Sequence, residues 1–312
     1  MNAYIALGYA CNHRCVFCPC GKESERKFAP SISVDEFQTY VDQICRNSQI
    51  QSITLSGGEP TLQKHFTDFL DILSKTHLQV GVLTNSDYLS IPEVFQKVVK
   101  HANPRQVHFT TALHSHQAEK HDNVTQVAGS FQRSVTTLQR LMQLNYAVSI
   151  KHVIHQDSYQ TLPNYLATML QLFPKSNVSF NLCGMDYCGM EREAIARTKV
   201  SFQELSCYLE QALHDFEKRN IANHFLKVTE LPLCTVDPYY WKYFSYSQKQ
   251  TLSAYASPVV KNTDQSRLRF NVESDCDTFS ESCQQCIVKH LCPGLWRSAW
   301  QLFGNQAVNA IK

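Results

Sequence analysis

Three cysteines near the amino terminus form the group of residues best suited to chemistry. Cys11, Cys15 and Cys18 are spaced C-x3-C-x2-C and follow a short apolar run that is typical of a β-strand. Three thiolates on one loop can hold three irons of a cubane [4Fe–4S] cluster and leave the fourth iron without a protein ligand. A zinc site is the alternative, and it would need Cys20 or His13 as the fourth ligand of its tetrahedron.

The same loop resembles the cluster loop of the radical S-adenosylmethionine (SAM) superfamily, C-x3-C-x-aromatic-C, with Phe17 in the aromatic position. A second motif strengthens the resemblance. A predicted strand over residues 52–55 ends in Ser56 and a Gly-Gly-Glu-Pro turn at residues 57–60, similar to the stretch that holds the amino group of SAM in that family. The resemblance implies two cofactors, a [4Fe–4S] cluster and SAM.

The resemblance also assigns site residues, with Cys11, Cys15 and Cys18 as the cluster ligands required for catalysis. The residues expected to bind the cofactors are Phe17, Gly57, Gly58, Glu59, Asn85, Ser115 and Lys151. Glycines allow a close backbone approach to SAM, and the Glu59 carboxylate offers a charged partner to its ammonium group.

A second cysteine group lies near the carboxyl terminus. Cys283, Cys286 and Cys292 are spaced C-x2-C-x5-C and resemble part of the auxiliary-cluster segment of SPASM and twitch radical SAM enzymes. The last cysteine of the full SPASM pattern is absent, so one auxiliary [4Fe–4S] cluster is expected rather than two. Its fourth ligand is expected to be Cys234, with Cys276 as the substitute. A structural zinc in the same cysteines is the alternative.

Strand and helix patterns alternate along the first 190 residues. Apolar runs predict six strands, at residues 4–7, 52–55, 79–83, 106–113, 147–154 and 177–182. Stretches with a 3.6-residue apolar period predict helices between them, one of them starting at a capping box of Ser33 and Glu36. Such alternation implies an α/β fold with a parallel sheet. Six units, and the resemblance, indicate a partial (β/α)6 TIM-type barrel, whose active site lies at the carboxyl ends of the strands.

The alternation is predicted to stop near residue 195. Beyond it come an amphipathic helix with a capping box at Ser201 and Glu204, and then an aromatic and polar region without a clear period. We therefore predict two domains: a radical SAM partial barrel over residues 1–195 and a small C-terminal cysteine-rich auxiliary-cluster domain over residues 196–312.

Composition and charge indicate which classes of partner to expect. The 312 residues carry a net charge of +2 and no basic tract interleaved with aromatics, so nucleic-acid binding is not indicated. The first residues do not show the pattern of a signal peptide, and no apolar stretch reaches about 18 residues, so no membrane partner is expected. The thirteen cysteines fall in tight groups, which favours metal sites over disulfides and a cytoplasmic location.

The resemblance implies an oxidoreductase-like or maturase-like enzyme that reductively cleaves SAM to a 5′-deoxyadenosyl radical, which then abstracts a hydrogen atom from substrate. Auxiliary clusters of this type are frequent in enzymes that crosslink, epimerise or oxidise ribosomally made peptides or proteins, and this is the expected substrate class. A small molecule, such as a sugar, nucleoside or amino acid derivative, is the alternative. A protein of a different functional class, an iron–sulfur electron carrier or a zinc-stabilised binding protein, is a further alternative. The Gly-Gly-Glu turn argues against it, because neither protein needs a SAM site.

Three partners are expected from this function. A low-potential electron donor, flavodoxin or ferredoxin, would reduce the cluster. A precursor peptide would be the substrate. A separate recognition protein would present it, because the segment ahead of Tyr4 is too short for the peptide-recognition domain that many such maturases carry.

The cysteine loop leads to a direct prediction. Replacing one thiolate, as in Cys15→Ala, leaves the cluster underligated and should abolish SAM cleavage. The measurement is 5′-deoxyadenosine formed by the reduced protein with SAM. Continued production in this variant would contradict the assignment of the loop.

Overall fold

The computed structural model describes most of the chain. The described residues are 1–18, 30–220, 222–245, 252–257, 268–272 and 278–312. Cys20 and Cys276, which the sequence offers as alternative ligands, lie outside these residues.

Nine strands form one sheet within the described residues. They are β1 (Asn2–Gly8), β2 (Ser52–Gly57), β3 (Gln79–Leu83), β4 (Val107–Ala112), β5 (Ala147–Val153), β6 (Val178–Cys183), β7 (Phe225–Thr229), β8 (Leu252–Ala256) and β9 (Leu268–Val272). Their order in the sheet is β7-β6-β5-β4-β3-β2-β1-β8-β9. All neighbouring pairs from β7 to β8 are parallel, and β9 runs antiparallel to β8.

Helices connect the strands. The α-helices of the described residues are α1 (Val34–Cys45), α2 (Phe66–Leu73), α3 (Pro92–His101), α4 (Ala118–Thr125), α5 (Ser130–Gln143), α6 (Leu162–Leu172), α7 (Arg192–Thr198), α8 (Phe202–Arg219) and α9 (Arg297–Phe303). Where the chain is described, none of its helices is both long enough and apolar enough to cross a bilayer.

Two helix starts follow the predicted capping chemistry. At α8 the Ser201 side chain accepts from the Glu204 N–H, and the Glu204 carboxylate bonds back to Ser201, so the capping box is complete. At α1 the Ser33 hydroxyl accepts from the Glu36 N–H at 3.2 Å. The Glu36 carboxylate, however, accepts from the Tyr40 hydroxyl one turn later, so only half of this predicted box forms.

The parallel α/β sheet with its connecting helices is confirmed, and the six predicted strands are present with ends that shift by up to two residues. The prediction that the alternation stops near residue 195 is wrong. Helices α7 and α8 are followed by β7, which pairs in parallel with β6. This strand escapes sequence analysis because only Leu226 and Val228 of its five residues are buried. The division into domains at residue 195 stays a prediction.

Buried and partly exposed side chains alternate along the strands, most clearly in β4, β5 and β6. In β6, Phe180 and Leu182 are buried, whereas Ser179 and Asn181 are partly exposed. The Phe180 ring packs against Phe216 of α8, with ring centroids 6.2 Å apart. The apolar face therefore forms one core with the helices, and the opposite face is polar.

The segments that follow β1, β4 and β5 meet at the carboxyl edge of the sheet. The ring centroid of Phe17 lies 5.0 Å from that of His114 and 5.5 Å from that of His155. This is the arrangement expected when a sheet curls into a partial barrel. We call the space enclosed by the polar face of β1 to β7 the lumen.

This two-faced sheet predicts opposite outcomes for adjacent substitutions. Phe180→Ala empties a fully buried site and should lower the free energy of unfolding by about 3–5 kcal/mol. Ser179→Ala, on the lumen face, should change it by less than about 1 kcal/mol. Urea denaturation followed by circular dichroism measures both. Similar losses in the two variants would show that the faces are assigned incorrectly.

Candidate active site

The Gly-Gly-Glu turn docks onto the segment that leads into the cysteine loop. The N–H of Gly58 donates to the carbonyl of Gly8, and the N–H of Glu59 donates to that of Ala10, both at 2.8 Å. A Cβ on Gly57 would meet the Gly8 carbonyl oxygen at 2.1 Å, and one on Gly58 would meet that of Ala10 at 2.4 Å. Gly57 also has φ +122°, which disfavours other residues. The predicted position of both motifs on one rim is confirmed.

Glu59 is fully buried. Its Oε1 accepts from the Thr61 N–H at 3.1 Å, the Thr61 hydroxyl at 2.6 Å and the Thr84 hydroxyl at 2.7 Å. Its Oε2 accepts from the Asn85 N–H at 2.7 Å. Burial raises the pKa of Glu59, and these hydrogen bonds oppose the rise. The carboxylate thus joins the turn after β2 to the end of β3, and a bond from Glu59 to SAM stays a prediction.

Asn85 and Asp87, which follow β3, hold the cysteine loop from one side. The Asn85 Nδ2 donates to the Asn12 Oδ1 at 2.7 Å and to the Cys11 Sγ at 3.8 Å. Asp87 Oδ2 accepts from the Asn12 Nδ2 at 3.1 Å and bonds the His13 Nε2 at 3.1 Å. The loop is therefore oriented by side chains of the neighbouring strand end.

Asp87 is a buried carboxylate with two basic partners. Arg133 of α5 donates to it from Nε, and from Nη2 at 3.3 Å. Burial raises the pKa of Asp87, but hydrogen bonds from His13 and Arg133 outweigh it and hold the pKa below its ordinary value. Sequence reasoning missed Asp87 and Arg133. The one available signal was an acid directly after the predicted strand end at Asn85.

The other side of the cysteine loop rests on α4 and on buried rings. The N–H groups of Arg14 and Val16 each donate at 3.0 Å to carbonyls of the last turn of α4. Phe17 is buried, with its ring centroid 5.0 Å from His114 in an edge-on contact and 5.5 Å from His155. Phe17 thus supports the loop from inside, and its contact with SAM stays a prediction.

Buried histidines lie on one side of Phe17: His114 and His155 contact its ring, and His121 and His152 stack on those two rings. Burial lowers the pKa of His114 and His155, takes that of His121 to about 4 and takes that of His152 to about 3, with neighbouring groups as smaller causes. At neutral pH these rings are uncharged. They therefore support the loop without placing positive charge behind it.

The two remaining predicted SAM contacts, Ser115 and Lys151, have different surroundings. Ser115 is buried, and its hydroxyl accepts from the Gln117 N–H at 3.1 Å. Lys151 faces the lumen beside Cys183 and Glu230, which both raise its pKa. The Cys183 thiol donates to Glu230 Oε2 at 2.5 Å, and burial is the main cause that raises the pKa of Cys183 to about 12. A lysine, a thiol and a carboxylate therefore meet at the top of the lumen.

The second cysteine group also comes together. Its described members are Cys234, Cys283, Cys286 and Cys292. Burial raises the pKa of Cys234 to about 11, and the other three cysteines add to the rise. The Cys292 Sγ accepts from the N–H groups of Leu233 and Gly294, each at 3.4 Å. Neighbouring thiols do not all ionise without a positive centre among them, so four thiols in one region are a possible donor set for a metal group.

Two further observations concern the cysteines. None of the eleven described cysteines forms a disulfide. Across the described ranges, no three His, Cys, Asp or Glu side chains converge as a single bound metal ion would require.

Comparison with known proteins gives a family context. The family model described as the radical SAM superfamily matches residues 5–166, just over half of the chain. Mycofactocin maturase MftC of Mycobacterium tuberculosis is 27% identical over 173 residues, which are 53% of this chain and 42% of the maturase. PqqA peptide cyclase of Rhodopseudomonas palustris is 21% identical over 208 residues, 67% of this chain and 54% of the cyclase. The chain thus spans about half the length of these curated relatives.

Solved structures share the fold. SuiB of Streptococcus suis, bound to precursor peptide SuiA, superposes with a TM-score of 0.66 at 13% identity, covering 100% of this chain and 75% of SuiB. Native anSMEcpe with bound AdoMet and Kp18Cys peptide gives a TM-score of 0.69 at 12% identity, covering 99% of this chain and 92% of that one.

The ion pair of Asp87 with Arg133 and its hydrogen bond with His13 make the site testable. Asp87→Asn leaves Arg133 and His13 without their anionic partner and should lower the free energy of unfolding by about 1.5–3 kcal/mol. Iron bound after reconstitution should fall as well, because the cysteine loop loses its anchor.

Asp68→Asn is the matched control. Asp68 is half exposed and bonds His65 at 2.7 Å, and such surface pairs contribute about 0–1 kcal/mol. Thermal melting and iron analysis compare the variants. Equal iron content in the Asp87 variant and the wild type would exclude an anchoring role.

Proposed function

Because this chain belongs to the radical SAM superfamily, we propose that it is an enzyme that reductively cleaves SAM and modifies a ribosomally made peptide or protein by crosslinking, epimerisation or oxidation. The observation that carries the proposal is the cysteine loop docked onto the Gly-Gly-Glu turn by paired backbone hydrogen bonds. A site of this kind needs both motifs within reach of one SAM molecule.

Cys11, Cys15 and Cys18 would hold the [4Fe–4S] cluster. The site fits it, because the His13 N–H at 3.4 Å and the Asn85 amide at 3.8 Å already donate to the Cys11 sulfur, and such bonds tune a cluster's potential. When bound, the cluster and SAM would supply the radical chemistry by which a hydrogen atom is removed from substrate. A flavodoxin or ferredoxin would supply the electron.

The chain's own side chains would position SAM at the rim. Gly57 and Gly58 fix the turn, and Glu59 holds Asn85 in place beside the cysteine loop. Lys151 would meet SAM or substrate from the lumen, where Glu230 balances its charge.

A peptide substrate is supported by the relatives. MftC is named a maturase and the Rhodopseudomonas protein a peptide cyclase, and the superposed SuiB and anSMEcpe structures contain peptides. A small molecule is the second candidate, favoured by 27% identity over 156 residues to GTP 3′,8-cyclase of Aquifex aeolicus.

The test is SAM cleavage by the reconstituted, reduced protein, with and without the short peptide encoded nearest its gene. We expect 5′-deoxyadenosine in the wild type and not in Cys15→Ala, and a mass change in the peptide. If a nucleotide stimulates SAM cleavage and the peptide does not, the substrate is a small molecule and the peptide proposal is wrong.

We further propose that Cys234, Cys283, Cys286 and Cys292 hold one auxiliary [4Fe–4S] cluster, with Cys276 as the substitute for Cys234. The wild type should then bind about eight irons per chain, and the triple alanine variant at Cys11, Cys15 and Cys18 about four. Metal analysis with Mössbauer spectroscopy measures this. Zinc without iron in the triple variant would identify a structural zinc site.

A further inference from the structure

A cleft lies where the C-terminal helix α9 meets the barrel. The Ser298 hydroxyl accepts from the Tyr187 N–H at 3.0 Å and donates to Asp186 Oδ1 at 2.6 Å. These bonds join α9 to the loop that follows β6. Beside them, this loop, α7 and α9 bound a cavity of about 710 Å³. Ligand-binding clefts have volumes of about 300–1,000 Å³, so the size of this one suits a ligand of a few residues.

The cleft lies at the same edge of the sheet as the cysteine loop. One of its walls is the loop that follows β6 at the carboxyl edge. A second buried apolar cluster, separate from the main core, contains Phe17 of the cysteine loop together with Met185, Tyr187 and Leu295. The cysteine loop and the walls of the cleft therefore belong to one packed unit. A peptide bound in the cleft can extend along this edge to the cysteine loop.

The walls of the cleft have the composition of a recognition site. Trp296, Tyr187 and Leu302 line it, and two arginines lie among the other lining residues. Tryptophan, tyrosine and arginine are the residues most enriched where a few side chains dominate the binding of another chain. Cys188 and Gln301, on opposite walls, are exposed. The cleft is therefore open to solvent, and a chain longer than the cleft can enter and leave it.

The charges of the lining residues are unequal. They comprise two arginines, Arg192 and Arg297, and one aspartate, Asp186. The aspartate is already used within the chain, because its Oδ1 accepts from the Ser298 hydroxyl and from the Cys188 N–H at 2.9 Å. The lining is thus positive overall, which complements a ligand that carries an acidic group.

Helix α7 separates its charges by face. Arg192 and Ile195, three positions apart, line the cleft. Glu191 and Glu193 line the cavity on the other side of the helix. Residues three apart on a helix are neighbours on its surface, so the guanidinium and the apolar side chain are presented together. The face of α7 that borders the cleft is therefore basic and apolar.

We propose that this cleft binds an acidic segment of the peptide substrate next to the residue that is modified. This inference rests on the proposed function and names the surface and the charge by which the substrate is selected. Apolar side chains of the segment pack against Trp296 and Leu302, and an aspartate or glutamate pairs with Arg192. Guanidinium and carboxylate groups form strong, charge-assisted hydrogen bonds of defined geometry.

Cys188 makes the cleft testable without a substitution. Cys188 and Cys207 of α8 are the two exposed cysteines among the described residues. The reconstituted enzyme with SAM is alkylated anaerobically with iodoacetamide, with and without the short peptide encoded nearest its gene, and mass spectrometry follows each cysteine. At about ten times the Kd of the peptide, mass action leaves about one cleft in ten free, so Cys188 should react about tenfold more slowly. Cys207, outside the cleft, should react at an unchanged rate.

Arg192 variants test the charge. Arg192→Glu should weaken binding of the labelled peptide, measured by fluorescence anisotropy, by about fivefold, the effect of one exposed ion pair. Arg192→Lys should retain most of the affinity because the positive charge remains. Arg105→Glu is the matched control, since Arg105 is exposed ahead of β4 at the opposite edge of the sheet. Iron content and thermal midpoint confirm that each variant is folded.

A changed peptide completes the cycle. A peptide with asparagine and glutamine in place of its acidic residues should bind the wild type more weakly. It should also bind the wild type and Arg192→Glu equally, because the pair is already broken. A lower affinity for Arg192→Glu with this neutral peptide would show that the arginine does not act through an acidic residue, and would overturn the charge assignment.

The outcomes separate this inference from the proposed function. A peptide that is modified while Cys188 keeps its reactivity, or that binds Arg192→Glu as well as the wild type, would overturn the cleft and leave peptide modification standing. Protection of Cys188 without peptide, as the enzyme concentration rises, would assign the cleft to a second copy of the chain and also overturn it. Binding of no peptide by an enzyme that still cleaves SAM would overturn the peptide substrate and this inference with it.

Discussion

Two backbone hydrogen bonds, from Gly58 to Gly8 and from Glu59 to Ala10, are the constraint on which the site depends. They join the chain just after β1 to the turn just after β2, and the cysteine loop begins at the next residue. The contact is feasible only without side chains, because a Cβ at Gly57 or Gly58 would overlap a carbonyl oxygen. The motif glycines therefore act first on the protein's own backbone.

From this contact a continuous set of polar interactions surrounds the cysteine loop. Glu59, fully buried, is satisfied by donors from its own turn and from the end of β3. The Asn85 side-chain amide in turn donates hydrogen bonds to Asn12 and to the Cys11 sulfur. Asp87 adds a charge balanced by Arg133. A buried polar group that loses its hydrogen-bond partner costs free energy. A substitution in this network therefore destabilises the residues that hold the cysteine loop, which lie outside the apolar core of the sheet.

The two faces of the sheet have different roles: the apolar face packs against the helices and stabilises the fold, and the polar face lines the lumen. Parallel strands that are buried on both faces read as continuous apolar runs, whereas β4, β5 and β6 alternate, with apolar residues under the helices and polar residues in the lumen. The alternation leaves the lumen polar for substrate groups. The same property makes β7 hard to predict from the sequence, because a five-residue strand with one apolar face contains only two buried apolar residues.

By itself the sequence determined the cysteine loop, the Gly-Gly-Glu turn, the six-strand alternation and the cysteines of the second group, because short motifs and periodicity are local properties of the chain. Only the tertiary structure decided the buried position of Glu59, the pairing of Asp87 with Arg133, and the meeting of Lys151 with Cys183 and Glu230. Those contacts join residues 25 to 79 positions apart. Which partners meet depends on strand register and sheet curvature, and no local pattern encodes either.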